Sequence, residues 1–447
     1  MKHFTTLILA LLAAGSLTLS AQEIAEQPTA IEALGSPQNV GHALLTPRSD
    51  LATYPTREQM MAGTTSGHIV TLGEWQSEAV EAGTRYTTRF KRTYRLDDKE
   101  ILLRIEGATG AVSVEVNGKE IGYSAEGNGR SEFDLTKALK ENNNTIGVVV
   151  HRDYAARAIE PAAQSEELTF SRATILTPPR VAVADLTVET KFTKSGDGSL
   201  RLGVVMQSFL LNSKVYDIYY EVYSPEGEKV ASSNKEITTR MLSRDTVDFF
   251  TRIPKAKAWS PSKPNLYRVV VYTKHQNRFK EFTTAFIGFR TVESNDQGEV
   301  IFNGDALELK STPFTYTTKE ESAAELQRLK DEGYNLIFTA RSQPDELYDL
   351  CDQMGMLACC SADITCPDKD AASTPSNKPE WKNTYLWRAE SAYHSTKIHP
   401  SVVMFSLAHK AQNGICLYES YLAMKAIENE KRPFVYPDAG GEWNTDL

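Results

Sequence analysis

Apolar and polar positions alternate in short runs through the first two-thirds of the chain, and a longer, helical period replaces them after Asn303. From about Gly83 to His151, "RTYRLDD", "EILLRIEGA", "AVSVEVNGKEIGY" and "NTIGVVVHR" put apolar side chains on alternate positions, the period that lines one face of a strand. Asn117 and Gly118 separate two such runs, and Asn-Gly suits a tight hairpin because both central residues take positive φ. Strands with one apolar face bury it against a second sheet, so the pattern predicts a β-sandwich. "PPR" at Pro178 to Arg180 then breaks the alternation and reads as a linker. A second β unit follows to about Val292, in "VADLTVETKF", "SLRLGVVMQSF", "VYDIYYEVYS" and "LYRVVVYTK", with turns at "SGDG" and "SPEGE". Its size suits an immunoglobulin-like sandwich of ~100 residues, although no cysteine pair pins it.

After Asn303 the amphipathic run "KEESAAELQRLKDEG" predicts a helix ending at Gly333, and "NLIFT" a short buried strand. The alternation continues with helix "PDELYDLCDQMG", strand "MLACC", helix "WRAESAYHSTKI", strand "SVVMFSL", helix "GICLYESYLAMKAIENE" and strand "PFVYP". Strands and helices in strict alternation imply parallel β/α units. With a first strand near "LELK", five strands are expected. The fold class is therefore multidomain β plus α/β: a β-sandwich over residues 22–180, an immunoglobulin-like sandwich over 181–293 and parallel β/α units over 294–447.

Residues 1–21 read as a secretory signal peptide, with Lys2, an apolar run from Leu7 to Ala14 and small residues before a cut after Ala21. Export to the periplasm, the cell surface or the medium is the expectation. No later segment approaches the ~20 apolar residues that a membrane span needs. A formal charge of -9 without a basic stripe argues against nucleic-acid partners. All five cysteines, Cys351, Cys359, Cys360, Cys366 and Cys416, lie in the last quarter of the chain, and an odd number leaves at least one unpaired. Cys359, Cys360 and Cys366 with His394 or His399 fit no zinc spacing, so buried strand cysteines are the favoured reading.

Two sandwiches followed by β/α units, together with local motifs, resemble glycoside hydrolase family 2, the β-galactosidase and β-glucuronidase family. "TYRL" with "RIEGATGAVSVEVNGKEIGY" and "SEFDLTKALKENNNTIGVVV" is similar to its sugar-binding jelly roll. "AWSPSKPNLYRVVVY" and "IGFRTVE" resemble its passage into the barrel, and "IFNGDALELK", "LKDEGYNLIFT", "ELYDLCDQMGM" and "HPSVVMFSLAHK" its barrel elements. The resemblance implies a jelly-roll sandwich over 22–180, a partial, truncated (β/α) barrel over 294–447 and a retaining glycosidase ancestry, whose chemistry needs two carboxyl groups ~5–5.5 Å apart. Its acid/base is a Glu after an Asn at the end of the fourth strand, and here that pair aligns with His409 and Lys410 in "SLAHKAQNG". An ammonium replaces a carboxylic acid there, a poor match for a group that must lose and regain a proton near neutral pH.

Other family positions have changed too. Phe338 stands where the family has an Arg, Ser361 in "CSAD" where it has the Glu of "DEAN", and Ala173 in "TFSRAT" where it has an Asp; "LKSTPFTYT" lacks the family His. His399 and Pro400 match the family's "HPS" and read as structural. The segment carrying the nucleophile, near the seventh strand, is expected to be missing, because the chain after Asn303 is far shorter than the ~250 residues of a complete barrel. The loop expected between Trp75 and Tyr86 is also shorter than the family's. No catalytic residue, metal ligand or cofactor is assigned. Lys410 reads as a strand-end lysine, His409 as a filler, and Trp75, Trp381, Trp387 and Trp443 as packing residues rather than sugar platforms. Asp363, Asp438 and Glu442 could in principle form a new pair, but no spacing argument favours it. The expectation is an exported pseudoenzyme acting by glycan binding or as an envelope scaffold or partner protein, with a purely structural envelope protein without a ligand fitting almost as well; the alternative is a weak β-glycosidase with relocated carboxylates. Open barrel edges would favour self-association or a partner chain.

Overall fold

A computed structural model describes residues 29–64, 66–70, 72–160, 166–367, 370, 372–436 and 445–447. Residues 1–21, read above as a signal peptide, and Asp438, Glu442 and Trp443 lie outside these residues. In the first sandwich a six-stranded sheet runs in the order Gly41–His42, Lys119–Ser124, Val112–Val116, Asn142–His151, Gly83–Arg92, Gln76–Val80. A four-stranded sheet faces it, built from Ile69–Val70, Arg172–Leu176, Leu102–Glu106 and Arg130–Asp134. Their inner faces share a core that includes Leu103, Ile105, Val114, Phe133, Ile146 and Val148. Asn117 and Gly118 turn the expected hairpin with φ of 54° and 77°.

Two local expectations need correcting. "RTYRLDD" leaves the sheet after Arg92 and makes one 3₁₀ turn, Tyr94–Leu96, closed by the Leu96 N–H on the Thr93 carbonyl at 2.9 Å. Beyond that point no described strand lies opposite it, and Tyr94 is exposed. Most of the short segment between Trp75 and Tyr86 is not a loop but a β-hairpin, with Val80 opposite Gly83.

The second sandwich packs a three-stranded sheet, Val181–Phe192, Gly198–Ser208 and Arg244–Ile253, on a five-stranded one. The fifth strand of the latter is Thr53–Tyr54, which lies in the chain between the first two strands of the first sandwich's six-stranded sheet, Gly41–His42 and Gln76–Val80, and pairs with Arg278–Ile287. Residues around 50 are therefore shared between the two sandwiches. Inside the second sits Glu281, fully buried; one carboxylate oxygen accepts the Val183 N–H at 2.6 Å and the other has no partner. Burial pushes its pKa up to about 8.

The third unit contains β1 (Ser311–Pro313), α1 (Lys319–Asp331), β2 (Leu336–Thr339), α2 (Asp345–Met354), β3 (Leu357–Ser361), α3 (Lys382–Thr396), β4 (Val402–Ser406), α4 (Ile415–Ile427) and β5 (Phe434–Val435). All five strands are parallel and neighbour one another in chain order, the arrangement from which a β/α barrel is built. The first strand falls on "STP" rather than "LELK", because Lys310 takes the Asn335 side-chain oxygen on its N–H and β1 pairs only beyond it.

Alternation sorts the side chains. Ile337, Ala358, Cys360 and Phe405 face the helices, whereas Leu336, Leu357, Cys359 and Met404 face inward onto Trp259 and onto Val292, Val300 and Phe302 of a small antiparallel sheet. All five cysteines are buried free thiols. Both edges of the sheet carry features that discourage further pairing. Pro313 removes an N–H from β1, and the end of the described chain covers β5, with the Asp446 N–H on the Phe434 carbonyl and the Phe434 N–H on the Asp446 carboxylate, each at 2.8 Å.

Glu281 supplies a pH test. Its folded pKa lies above its unfolded value, so the native state holds the extra proton, and stability falls as pH rises from about 4.5 to about 8. The expected slope approaches about 1.4 kcal/mol per pH unit from this one group. Urea unfolding at pH 5 and pH 8 should show Glu281→Gln gaining on the wild type as pH rises. A difference between the two proteins that stays constant with pH would contradict the assignment.

Candidate functional site at the strand-end rim

In parallel β/α architectures the carboxyl ends of the strands share one rim, and catalytic side chains come from the segments that follow them. Here those segments are Ala340 to Pro344 after β2, Ala362 to Cys366 after β3 and Leu407 to Gly414 after β4. They are stitched to one another, with the Ala362 N–H on the Ser406 carbonyl at 2.9 Å and the His409 N–H on the Ile364 carbonyl at 2.7 Å. Ala362, Ile364, Leu407, Ala408 and Ala411 join the helix-side core, together with Ile159 from the first sandwich.

The positions singled out in the sequence do converge on this rim. The Phe338 and His409 rings lie 5.3 Å apart at 42°, both half-buried. Lys410 is exposed and takes left-handed backbone, φ 53°. The Ser361 hydroxyl donates to the Ala362 carbonyl at 3.0 Å and the Ser406 hydroxyl to the Ala408 carbonyl at 2.7 Å, so both are engaged within their own segments. Ala173 lies away from the rim, on a strand of the first sandwich opposite Ile105.

Asp363 is the carboxylate placed directly beyond β3, and it is 3% exposed. It accepts the Ser342 N–H and, at 3.3 Å, the Asn128 side-chain amide from the first sandwich; burial raises its pKa. Nearby Glu126, also of the first sandwich, accepts the Trp387 indole N–H at 3.0 Å and the Ser391 hydroxyl at 3.1 Å. Burial first, and the Asp363 charge second, push Glu126 up to about 7. Between them Arg388, 1% exposed, pairs with Glu160 at 2.5 Å and donates to the Asp363 carbonyl. These groups lock the first sandwich onto the barrel, and their carboxylates point into that joint rather than toward solvent.

The remaining candidates take no part in the rim. His399 sits between Asp352 and Asp345. Trp75 packs edge-on against Phe170 at 5.3 Å, Trp381 is buried in the helix-side core, and Trp387 serves the joint just described. Sequence reasoning missed Glu126, Glu160 and Arg388. The one available signal was Arg388 inside a helix whose neighbours Tyr385, Ala389 and Ala392 are buried.

Two β-sandwiches leading into successive parallel β/α units, with the strand ends gathered on one rim, define the architecture of a multidomain β-glycosidase. The family model of glycosyl hydrolases family 2 matches residues 181–290, and that of the family's TIM barrel domain matches 319–445. The chain belongs to glycosyl hydrolases family 2. It is 25% identical over 369 residues to a β-galactosidase of Priestia megaterium, covering 78% of this chain and 36% of that protein. A β-galactosidase of Clostridium acetobutylicum is 26% identical over 352 residues, covering 75% and 38%. The chain thus spans little more than a third of these relatives' length. Among solved structures, a Bacteroides uniformis β-glucuronidase superposes with a TM-score of 0.67 at 16% identity, over 89% of this chain and 52% of that one. A family 2 member from Bacteroides cellulosilyticus gives 0.66 at 15% identity, over 79% and 49%. These likenesses show the same fold.

The interdomain joint is testable by Arg388→Met. Removing one member of a buried ion pair leaves Glu160 without its partner, so a loss of about 3–5 kcal/mol is expected in chemical denaturation. A loss below about 1 kcal/mol would show that the joint does not hold the two units together.

Proposed function

We propose that this protein is an exported, non-catalytic member of its family, working by binding, with a glycan or a cell-envelope protein as its ligand. The observation that carries the reading is Lys410, an exposed ammonium at the strand-end position where the resemblance places the acid/base carboxyl. A retaining mechanism needs a carboxyl group there that protonates the leaving oxygen and then deprotonates water, and an ammonium offers no carboxylate for the second half. The neighbouring changes support the same reading. Phe338 and His409 close over a rim whose serines are engaged with their own backbone, and Asp363 is held in the joint. Fold membership alone is a weak warrant for activity once the site chemistry has changed.

The purified protein should leave aryl β-galactosides, β-glucuronides, β-glucosides and β-mannosides intact, read against Lys410→Ala to expose contaminating enzyme. Turnover that disappears with Lys410→Ala would overturn the proposal. Turnover equal in both proteins, and still present after repurification, would overturn it in favour of carboxylates elsewhere in the chain.

A further inference from the structure

A cavity of about 530 Å³ lies where the two sandwiches meet the outside of the barrel, away from the rim. One wall is α2, which presents Asp345 and Asp349 one turn apart on the same face. His399, from the turn preceding β4, completes the wall, and the ligand atoms of the three residues all lie within 4.8 Å of one another. Such a span fits donors around a single ion.

The histidine is already oriented as a metal ligand would be. Its Nδ1 lies 2.7 Å from Asp352 Oδ2, and the other Asp352 oxygen accepts the Ser401 N–H at 2.9 Å, which fixes the carboxylate. Nε2 is thereby turned toward Asp345, 3.3 Å away. A carboxylate behind a ligating imidazole is the usual supporting contact of protein metal sites. Asp349, in contrast, has no hydrogen-bond partner among the described residues.

Among the described residues no arginine across the cavity pairs directly with Asp345 or Asp349. Arg104 pairs with Asp50 at 2.5 Å and Glu132 at 2.7 Å, Arg48 with Glu132 at 2.7 Å, and Arg172 with Glu106 at 2.6 Å and, on α2, with Glu346 at 3.4 Å. Three carboxylates therefore face one imidazole on the α2 side. A second, independent sign of a polar occupant comes from His68, which lines the same cavity and is 5% exposed. Its Nδ1 meets the Thr177 carbonyl at 2.8 Å, and its Nε2 has no partner. A buried imidazole nitrogen without a partner favours a polar neighbour on that side of the cavity.

We propose that Asp345, Asp349 and His399 bind a divalent cation of the zinc or manganese class at the wall of this interdomain cavity. One imidazole nitrogen and two carboxylates suit those ions better than calcium, which takes six to eight oxygens. The cavity leaves coordination positions open to water or to an oxygen-rich ligand. The site would tie α2 and the β4 approach together and does not depend on chemistry at the rim.

The test uses the tag-free chain, stripped with EDTA and freed of chelator, titrated with zinc chloride and with manganese chloride by calorimetry and with cobalt chloride by absorption. The expected result is one equivalent bound, weakened at least 10-fold in Asp349→Asn. The cobalt spectrum should lack a thiolate charge-transfer band, which separates the site from the buried cysteines. Asp349 is exposed, so that variant should fold, and an unchanged thermal transition of the metal-free proteins confirms it. Absence of binding at millimolar metal, binding unaltered in Asp349→Asn, or a thiolate signature would each overturn the proposal.

Discussion

The burial of Trp259 is the contact on which the arrangement of the three units depends. Its indole is fully buried at the exit of the second sandwich, donates to the Asp352 carbonyl at 3.0 Å and packs toward Phe302 with ring centroids 6.1 Å apart. Close approach is possible because residue 288 is glycine: a Cβ there would lie 2.5 Å from the Trp259 Cβ. With the indole and the small antiparallel sheet closing the floor of the strand bundle, the strand ends on the opposite side form the rim. Asp352 takes the indole on its carbonyl and His399 on its carboxylate, so the same residue that seats the floor also orients the wall of the interdomain cavity.

Charged groups buried between units complete the framework. Arg388 meets Glu160 across the first sandwich and the barrel, Lys397 meets Asp185 at 2.5 Å, and Arg290 meets Glu430 at 2.9 Å across the second sandwich and the barrel. Pairs of this kind offset their own desolvation without large net gain, but a misaligned domain would leave each charge buried and alone. Their contribution is thus orientation.

Most of the architecture was legible because it depends on local patterning. Two-residue alternation identified the sandwich strands, and the change to a helical period located the β/α units, since both are set by which face of an element meets the core. Lys410 and His409 were visible as chemical substitutions against a known motif. "RTYRLDD" and "LELK" misled because the end of a strand is decided by whether a partner lies alongside, and no partner is encoded in the run itself. Thr53–Tyr54 was invisible for the same reason: its partner strand begins more than two hundred residues later.

By itself the sequence determined the order of the elements, the apolar face of each, the absence of a carboxylate at position 410 and the membership of a family. Tertiary structure alone decided which charges meet. Asp345, Asp349 and His399, like Glu126, Asp363 and Arg388, come from separate segments whose approach is set by packing of whole domains, and burial then shifts their proton affinities. Distance and desolvation are properties of the folded ensemble of side chains, so no run of residues announces them.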